Sequence, residues 1–449
     1  MKLILENIGK IKKAEIDLDH QLTVFFGPNN TGKTYVSYCL YGLGNFSPFM
    51  GARGDLDEDI DKLIQIDFQE LYQKGIVEVE LEKTLFPIRG TLREKYAKEF
   101  RTLLPYLFGN YEVDFSNSSI FLSWLESDND FNDFVSQGSF KSKELGGAVK
   151  VSFYYNKEKK AFIIELDNEF DRNDVEFDVS INETLKELLL ERIFDSRIND
   201  AIFIPAERIG VSVFGKDILR RRFEKSNLPY RKNELFSYSS IIETAILDQD
   251  SLNRIKHGKN KYSLIAEEIE KEILGGELTV NDSGEILYNN VDVKSLSIRN
   301  SASTIKSLSS LVFYLRYFVQ YGETLFIDEP EINLHPDNQI KIARILAKIS
   351  NLGINVYVST HSDYIIREFN NLIMLGKGSP ETERLMNEYG YKKDEILDHN
   401  GVGAYLFKTD GVVECVEVKE TGLEMKGIDD TINNQNKASN DIMWTLFDE

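Results

Sequence analysis

Gly27-Pro28-Asn29-Asn30-Thr31-Gly32-Lys33-Thr34 is the stretch that decides the fold. Before it runs Leu22-Thr23-Val24-Phe25-Phe26, a short apolar segment of strand type. After it, Tyr35-Val36-Ser37-Tyr38-Cys39-Leu40 continues as a helix. Strand, glycine-bearing loop and helix in that order form a phosphate-binding loop. Gly27 and Gly32 let the backbone wrap inward, so that successive amides through Asn29, Asn30 and Thr31 face phosphate oxygens. The helix opening near Lys33 adds the positive end of its dipole. Lys33 is placed to reach the β- and γ-phosphates, and Thr34 to offer its hydroxyl to Mg2+. The competing reading, an ordinary glycine-rich turn, does not account for the flanking strand and helix.

Far along the chain, Leu325-Phe326-Ile327-Asp328-Glu329 reads as a buried strand with two carboxylates at its C-terminal end, where ligands sit in open α/β sheets. Asp328 is the expected Mg2+ holder, through water, and Glu329 the group that polarises the attacking water. Pro330-Glu331-Ile332-Asn333-Leu334-His335-Pro336 then leads into a helix over 337–350. A second strand, Asn355-Val356-Tyr357-Val358-Ser359, ends at Thr360-His361-Ser362-Asp363. His361, just past that strand, is placed to contact the γ-phosphate and sense its loss. His20, His257 and His399 read as ordinary surface or core residues, and His335 is intermediate.

These motifs resemble the ABC-like ATPase heads of the SMC, RecF and OLD lineage. The opening Met1-Lys2-Leu3-Ile4-Leu5-Glu6-Asn7-Ile8-Gly9-Lys10-Ile11 is similar to that lineage's first strands. With Ile204-Pro205-Ala206-Glu207-Arg208, the chain most resembles the standalone ATPase subunits of antiphage defence systems of the PARIS and Septu kind. The resemblance implies an α/β fold: a P-loop NTPase of the ABC-ATPase head type, a mixed sheet with an antiparallel sub-sheet and a helical lobe. ATP and Mg2+ are the implied ligands. Heads of this lineage pair around ATP, a serine-rich helix start of one subunit completing the site of the other. The candidate is Asn300-Ser301-Ala302-Ser303-Thr304-Ile305-Lys306-Ser307-Leu308, ahead of an apolar-periodic helix over 308–319. Ser301, Ser303 and Thr304 carry hydroxyls and the helix's first amides favour an anion; Ser303 is the residue assigned. Thr304 stands where the lineage has glycine, and a plain serine cap is the alternative. Gln320 and Gln339 lie in the wrong context for a glutamine loop. Arg208 is a contact to nucleotide or opposite subunit, or a solvated strand end.

Composition bounds this reading. The chain has 449 residues, 42% hydrophobic and 28% charged, as in globular proteins, and is long enough for two or three lobes. No apolar run approaches a bilayer span and no basic-then-apolar leader opens the sequence, so no membrane contact and a cytoplasmic location are expected. Cys39 and Cys415 are the two cysteines, too isolated for a disulfide framework or zinc site. A net charge of −21 argues against DNA binding over the whole surface, because phosphate affinity comes from Lys and Arg. Any such contact is local. The basic stretch with Lys216, Arg220, Arg221, Arg222, Arg231 and Lys232 could meet nucleic acid, an acidic protein, or only water.

The motif positions divide the chain into a discontinuous head, 1–45 and 200–375, an insertion at 46–199, and a C-terminal α/β extension at 376–449 that completes or caps the head. In the insertion, helices are expected over 59–73 and 92–107 and a hairpin over 149–166. It is too irregular for a long coiled coil, which excludes SMC-like tethering. A helix end and hairpin over 270–290, with Gly275 and Gly276 between, precede the serine-rich segment. After 376 a strand over 412–418, a turn at 427–429 and a helix over 430–446 are expected. The Asp-x-Asp pair of an OLD-type Toprim nuclease is missing there, so no nuclease is expected in cis. The reading is an oligomeric, ATP-hydrolysing switch, a defence sensor controlling an effector in trans. The alternatives are a RecF-like duplex-DNA clamp and a nucleotide-stabilised scaffold storing a toxic partner.

Overall fold

The computed structural model describes residues 1–45, 66–80, 89–110, 112–123, 141–145, 149–156, 158–159, 161–166, 178–185, 198, 200–226, 238–252, 260–281, 283–423 and 437–438. The chain opens with an antiparallel hairpin, β1 (Lys2–Ile8) and β2 (Ile11–Asp17), and then β3 (Leu22–Phe26), which runs through the loop into the helix Lys33–Asn45. Next come the helix Phe68–Lys74, β4 (Ile76–Glu80), the helix Arg89–Phe108, β5 (Ser119–Leu122), β6 (Lys141–Leu145), β7 (Val149–Asn156) and β8 (Ala161–Leu166). β9 (Ala201–Ile204) is followed by helices Arg208–Ser226, Ser240–Ser251 and Ser263–Ile269, then β10 (Glu277–Val280), β11 (Ile286–Asn289) and β12 (Leu296–Ser297). Helix Ser303–Phe313 precedes β13 (Thr324–Asp328), and helix Pro336–Asn351 precedes β14 (Asn355–Thr360). Helices Asp363–Leu375 and Pro380–Tyr389 lead to β15 (Val402–Phe407) and β16 (Val413–Val416).

The central sheet has the order β16-β15-β3-β14-β13-β9. Of its five pairings four run parallel, and β15–β16 at one edge is antiparallel. Among the antiparallel sheets that accompany it are β2-β1-β5, β4-β8-β7-β6 and β10-β11-β12. The fold is therefore α/β with a mixed sheet and an antiparallel sub-sheet, as the resemblance implies.

Strand alternation sends two kinds of side chain to the two faces of the central sheet. On one face Phe203, Phe326 and Tyr357 sit side by side in register, with Phe203 and Phe326 rings 5.7 Å apart and nearly parallel, and Phe326 and Tyr357 4.8 Å apart. The helix Lys33–Asn45 and the β1 sub-sheet share that aromatic core. The opposite face is aliphatic: Leu22, Val24, Leu325, Ile327, Val356 and Val358 pack with the helices Ser303–Phe313, Pro336–Asn351 and Asp363–Leu375.

Segments outside the expected head bounds, 1–45 and 200–375, contribute to this core. β5, inside 46–199, pairs with β1, and Leu107 lies so close to Gly42 of the P-loop helix that a Cβ there would fall 2.5 Å from its Cδ1. β15, inside 376–449, pairs with β3. β15 is not among the strands expected after 376, although Val402-Gly403-Ala404-Tyr405-Leu406-Phe407 is an apolar run bounded by turn residues. The hairpin over 149–166 forms as β7 and β8, and the helix over 92–107 lies within Arg89–Phe108. Of 59–73, the described part starts the helix at Phe68. The helix expected from 308 starts five residues earlier, at Ser303, and gives way after Phe313 to a wider turn, Tyr314–Phe318. Its first turn holds a single apolar residue, buried Ile305, among Ser303, Thr304 and Lys306, so apolar periodicity marks it late. The turn at 427–429 and all but Lys437 and Ala438 of the helix over 430–446 lie outside the described residues.

Candidate functional site

Register brings the distant motifs to one edge. Asp328 pairs with Ser359, Thr360 with Phe26, and Phe26 with Leu406. The C-terminal ends of β15, β3, β14 and β13 therefore line up, and the loop 27–34 rises among them. Gly27 has φ 133°, and a Cβ there would meet the Phe407 carbonyl at 2.4 Å, so strand β15 itself demands glycine. Gly32 has φ 102°. Asn30, at φ 60°, takes the left-handed geometry that asparagine tolerates. Pro28, Asn29 and Asn30 are exposed, while Thr31 is buried and donates to the Pro28 carbonyl at 2.8 Å.

Lys33 is buried and folds back on its own loop, donating to the Gly27 and Pro28 carbonyls at 2.9 Å each. Burial pulls its pKa below the usual lysine range, against the pull of Glu329, Asp328 and Glu331. Thr34 Oγ1 donates to Asp328 Oδ2 at 3.1 Å, and Ser359 Oγ donates to Asp328 Oδ1. Burial raises the Asp328 carboxyl to about 6, opposed by the Ser359 hydrogen bond. The Thr34 hydroxyl and Asp328 carboxylate are hard oxygen donors meeting at one point beside the loop, a donor set that fits Mg2+.

Glu329 stands one residue beyond β13 with φ 47°, unusual for a side chain of its size. Three hydrogen bonds hold that backbone: its N–H donates to the Ser359 carbonyl at 2.9 Å, and its carbonyl accepts from Ile332 N at 3.1 Å and Arg208 Nη2 at 2.8 Å. His361 Nδ1 lies 3.4 Å from Glu329 Oε1 and 3.5 Å from Glu331 Oε1. The His361 hydrogen bond, with the charges of Lys33 and Arg208, holds Glu329 below the ordinary carboxylate range despite burial. Glu329 in turn raises His361. A carboxylate so held is ionised and acceptor-only, suited to orienting a water's hydrogen.

Glu331 and Ser359 carry no mark of a role in the sequence, and Gln339 reads there only as a glutamine in the wrong context for a glutamine loop. Glu331 is 7% exposed, and its Oε1 accepts from Thr360 Oγ1 at 2.8 Å and His361 N at 2.9 Å, fixing the turn that carries the histidine. Gln339 accepts from Ser362 Oγ at 2.6 Å and steadies the same turn. Nothing in Pro330-Glu331 separates this inward glutamate from its neighbour; only the fold does. His335 caps the helix Pro336–Asn351 and is exposed, which places it among structural residues.

The serine-rich segment divides. Ser301 is buried and donates to the Ile298 carbonyl at 2.8 Å, and Thr304 donates to the Asn333 carbonyl at 3.0 Å, so neither offers its hydroxyl outward. Ser303 opens the helix and is exposed. Arg208 departs from both expectations: it is 1% exposed and each of its three guanidinium nitrogens donates to an atom of its own chain, so in this structure it is not a solvated strand end and its side chain is not presented at the surface to a nucleotide or an opposite subunit. Its place at a strand end is the reason, because β9 is next to β13 and the side chain turns inward beneath the β13 tip. Lys216, Arg220, Arg221 and Arg222 lie on the helix Arg208–Ser226; Arg231 and Lys232 fall outside the described residues. No helix among the described residues is long and apolar enough to cross a membrane.

Fold and site together define a P-loop ATPase. The chain belongs to the AAA ATPase domain family, whose pattern it matches over residues 1–366. A 173-residue stretch is 27% identical to UvrABC system protein A of Vibrio cholerae, covering 37% of this chain and 17% of that protein. The chain thus spans less than a fifth of that curated relative. Among solved structures, the SMC head domain from Thermotoga maritima matches at TM-score 0.31 and 12% identity, over 93% of this chain and 98% of that one. The Smc head with an extended coiled coil bound to the C-terminal domain of ScpA, from Pyrococcus furiosus, matches at TM-score 0.34 and 12% identity, over 98% of each chain.

Proposed function

We propose that the chain binds ATP with Mg2+ and hydrolyses it as one of two facing heads, and that the pair is a cytoplasmic switch governing a separate effector in antiphage defence. The observation that carries the ATP site is the junction at the sheet edge, where Thr34 meets Asp328 at 3.1 Å and His361 meets Glu329 at 3.4 Å. The loop amides from Asn29 through Thr34 hold the phosphates, and Lys33 exchanges two carbonyl oxygens for phosphate oxygens carrying full charge. Thr34 and Asp328 are the residues to hold Mg2+, which when bound neutralises phosphate charge. Glu329 orients the attacking water, and His361, tied to the same carboxylate, registers the γ-phosphate.

Pairing is supported by Ser303. Its neighbours spend their hydroxyls inward, whereas Ser303 faces solvent beside the free amides of a helix start. Two heads would place it at the other head's phosphates. The defence role rests on the resemblance of Pro205-Ala206-Glu207-Arg208 and the motifs around it. The effector is a nuclease in many systems of that kind.

The test is the mass of Glu329→Gln in solution. With ATP and Mg2+ it should double while Lys33→Ala stays unchanged; a Glu329→Gln that remains monomeric contradicts the pairing. Phage plaque counts on cells carrying the chain with its genomic neighbour should rise in Lys33→Ala. Equal counts contradict the defence role. Steep salt-dependent affinity for duplex DNA, weakened by changing Arg220, Arg221 and Arg222, would put the RecF-like clamp in its place.

A further inference from the structure

Arg208 is the most deeply buried charged side chain among the described residues. Such a cation costs several kcal/mol to desolvate, and well-packed apolar residues often stabilise a fold as well or better. Its bonding pattern therefore calls for a different explanation. Nε donates to the Ser307 carbonyl at 2.9 Å and Ser307 Oγ at 3.0 Å. Nη1 donates to the Pro205 and Asp328 carbonyls at 3.2 and 2.9 Å, and Nη2 to the Glu329 carbonyl at 2.8 Å. One planar fork thus joins the end of β9, the tip of β13 and the helix Ser303–Phe313. Lysine, with a single nitrogen, cannot span all three.

The joint is reinforced on the far side. Ser307 Oγ donates to the Ile332 carbonyl at 3.0 Å, and Thr304 reaches the Asn333 carbonyl. The segment 328–333 and the first turns of helix Ser303–Phe313 are therefore bonded at several points, with Arg208 at the centre. One end of this unit carries the left-handed Glu329. The other end carries exposed Ser303.

We propose that Arg208 is a positioning residue that makes the β13 tip and the helix Ser303–Phe313 move as one piece, passing the state of one nucleotide site to the helix start that faces the other. The passage between sites rests on the paired-head reading above. Within one chain, the consequence is independent of pairing: Arg208 sets the geometry of Glu329.

The experiment compares wild type, Arg208→Lys and Ser307→Ala for ATP affinity by calorimetry, for kcat and KM, and for melting temperature. In Arg208→Lys, affinity should stay within about threefold of wild type while kcat falls about tenfold or more, because misplacing an orienting group affects the transition state and spares binding. Ser307→Ala, which removes one hydroxyl between Arg208 and Ile332, should lower kcat about threefold. Adding Arg208→Lys to Glu329→Gln should reduce the ATP-induced dimer. Wild-type kcat in a folded Arg208→Lys overturns the proposal, as does a parallel loss of affinity and melting temperature with unchanged turnover per bound ATP. Should Arg208→Lys not fold, wild-type kcat in Ser307→Ala overturns it. If Glu329→Gln alone never dimerises, the paired-head reading fails and Arg208 is judged on turnover alone.

Discussion

The phosphate loop and the tip of β13 face each other across the same sheet edge, yet they are built in opposite ways. The loop satisfies itself provisionally: Lys33 and Thr31 donate to loop carbonyls a few residues away, and both contacts can be traded for phosphate oxygens. The β13 tip is bonded to everything around it, through Arg208, Ser307, Ser359 and the turn at Glu331. A region that must accept a ligand keeps its donors exchangeable. A region that must aim a carboxylate commits its donors permanently, and can then hold Glu329 in a conformation costing about 1–3 kcal/mol.

Four substitutions can break or sharpen this contrast. Lys33→Ala has the largest expected effect, a loss of ATP affinity of about 100-fold or more for one charge-assisted contact to phosphate. Because Lys33 is buried at a cost, the melting temperature of the nucleotide-free protein should be unchanged or slightly raised; a clear drop would make the lysine structural. Glu331→Ala should do the reverse. It strands the Thr360 hydroxyl and the His361 amide and removes one of the carboxylates whose charge offsets buried Arg208, so it should destabilise the nucleotide-free protein by about 2 kcal/mol in denaturant titration. Gly27→Ala, strained at φ 133° and pressed on the Phe407 carbonyl, is expected to cost about 1–3 kcal/mol by the same titration.

The smallest effect lies away from the site. Glu268 joins Lys348, at 2.9 Å, and Lys392. Burial alone would raise its pKa, but the hydrogen bonds from Lys392 and Lys348 leave it below the ordinary 4.5. A carboxylate held low in the folded state adds stability that is complete above 4.5 and lost as pH falls through the depressed value. Glu268→Gln should therefore melt about 1–2 °C lower than wild type at neutral pH. The gap should close in acid, and a gap that is the same at both pH values would mean the charge contributes nothing.

The loop, the Asp328-Glu329 pair and His361 are legible in the sequence as candidates because each is a run of specific residues next to an apolar strand. What depends on the third dimension is not legible there. The sequence marks Arg208 only as a charge after a strand; that it points under β13 follows from β9 lying beside β13, a pairing of residues more than a hundred positions apart. Glu329 and Glu331 are alike in sequence, and backbone φ and burial alone divide them into an aimed and a bracing carboxylate. Ser303 is the hydroxyl assigned from the sequence, but that Ser301 and Thr304 turn inward and Ser303 does not is visible only at the helix start. β15 was legible as an apolar run, but its place beside the loop was not.

The central claim is that Lys33, Thr34, Asp328 and Glu329 serve one triphosphate. Single-turnover hydrolysis with ATP and Mg2+, run beside calorimetric binding on wild type and Glu329→Gln, tests it most directly. Both proteins should bind ATP with similar affinity, and Glu329→Gln should hydrolyse it about 100-fold or more slowly. Equal hydrolysis by the two proteins, or no heat of ATP binding in wild type, would contradict the account.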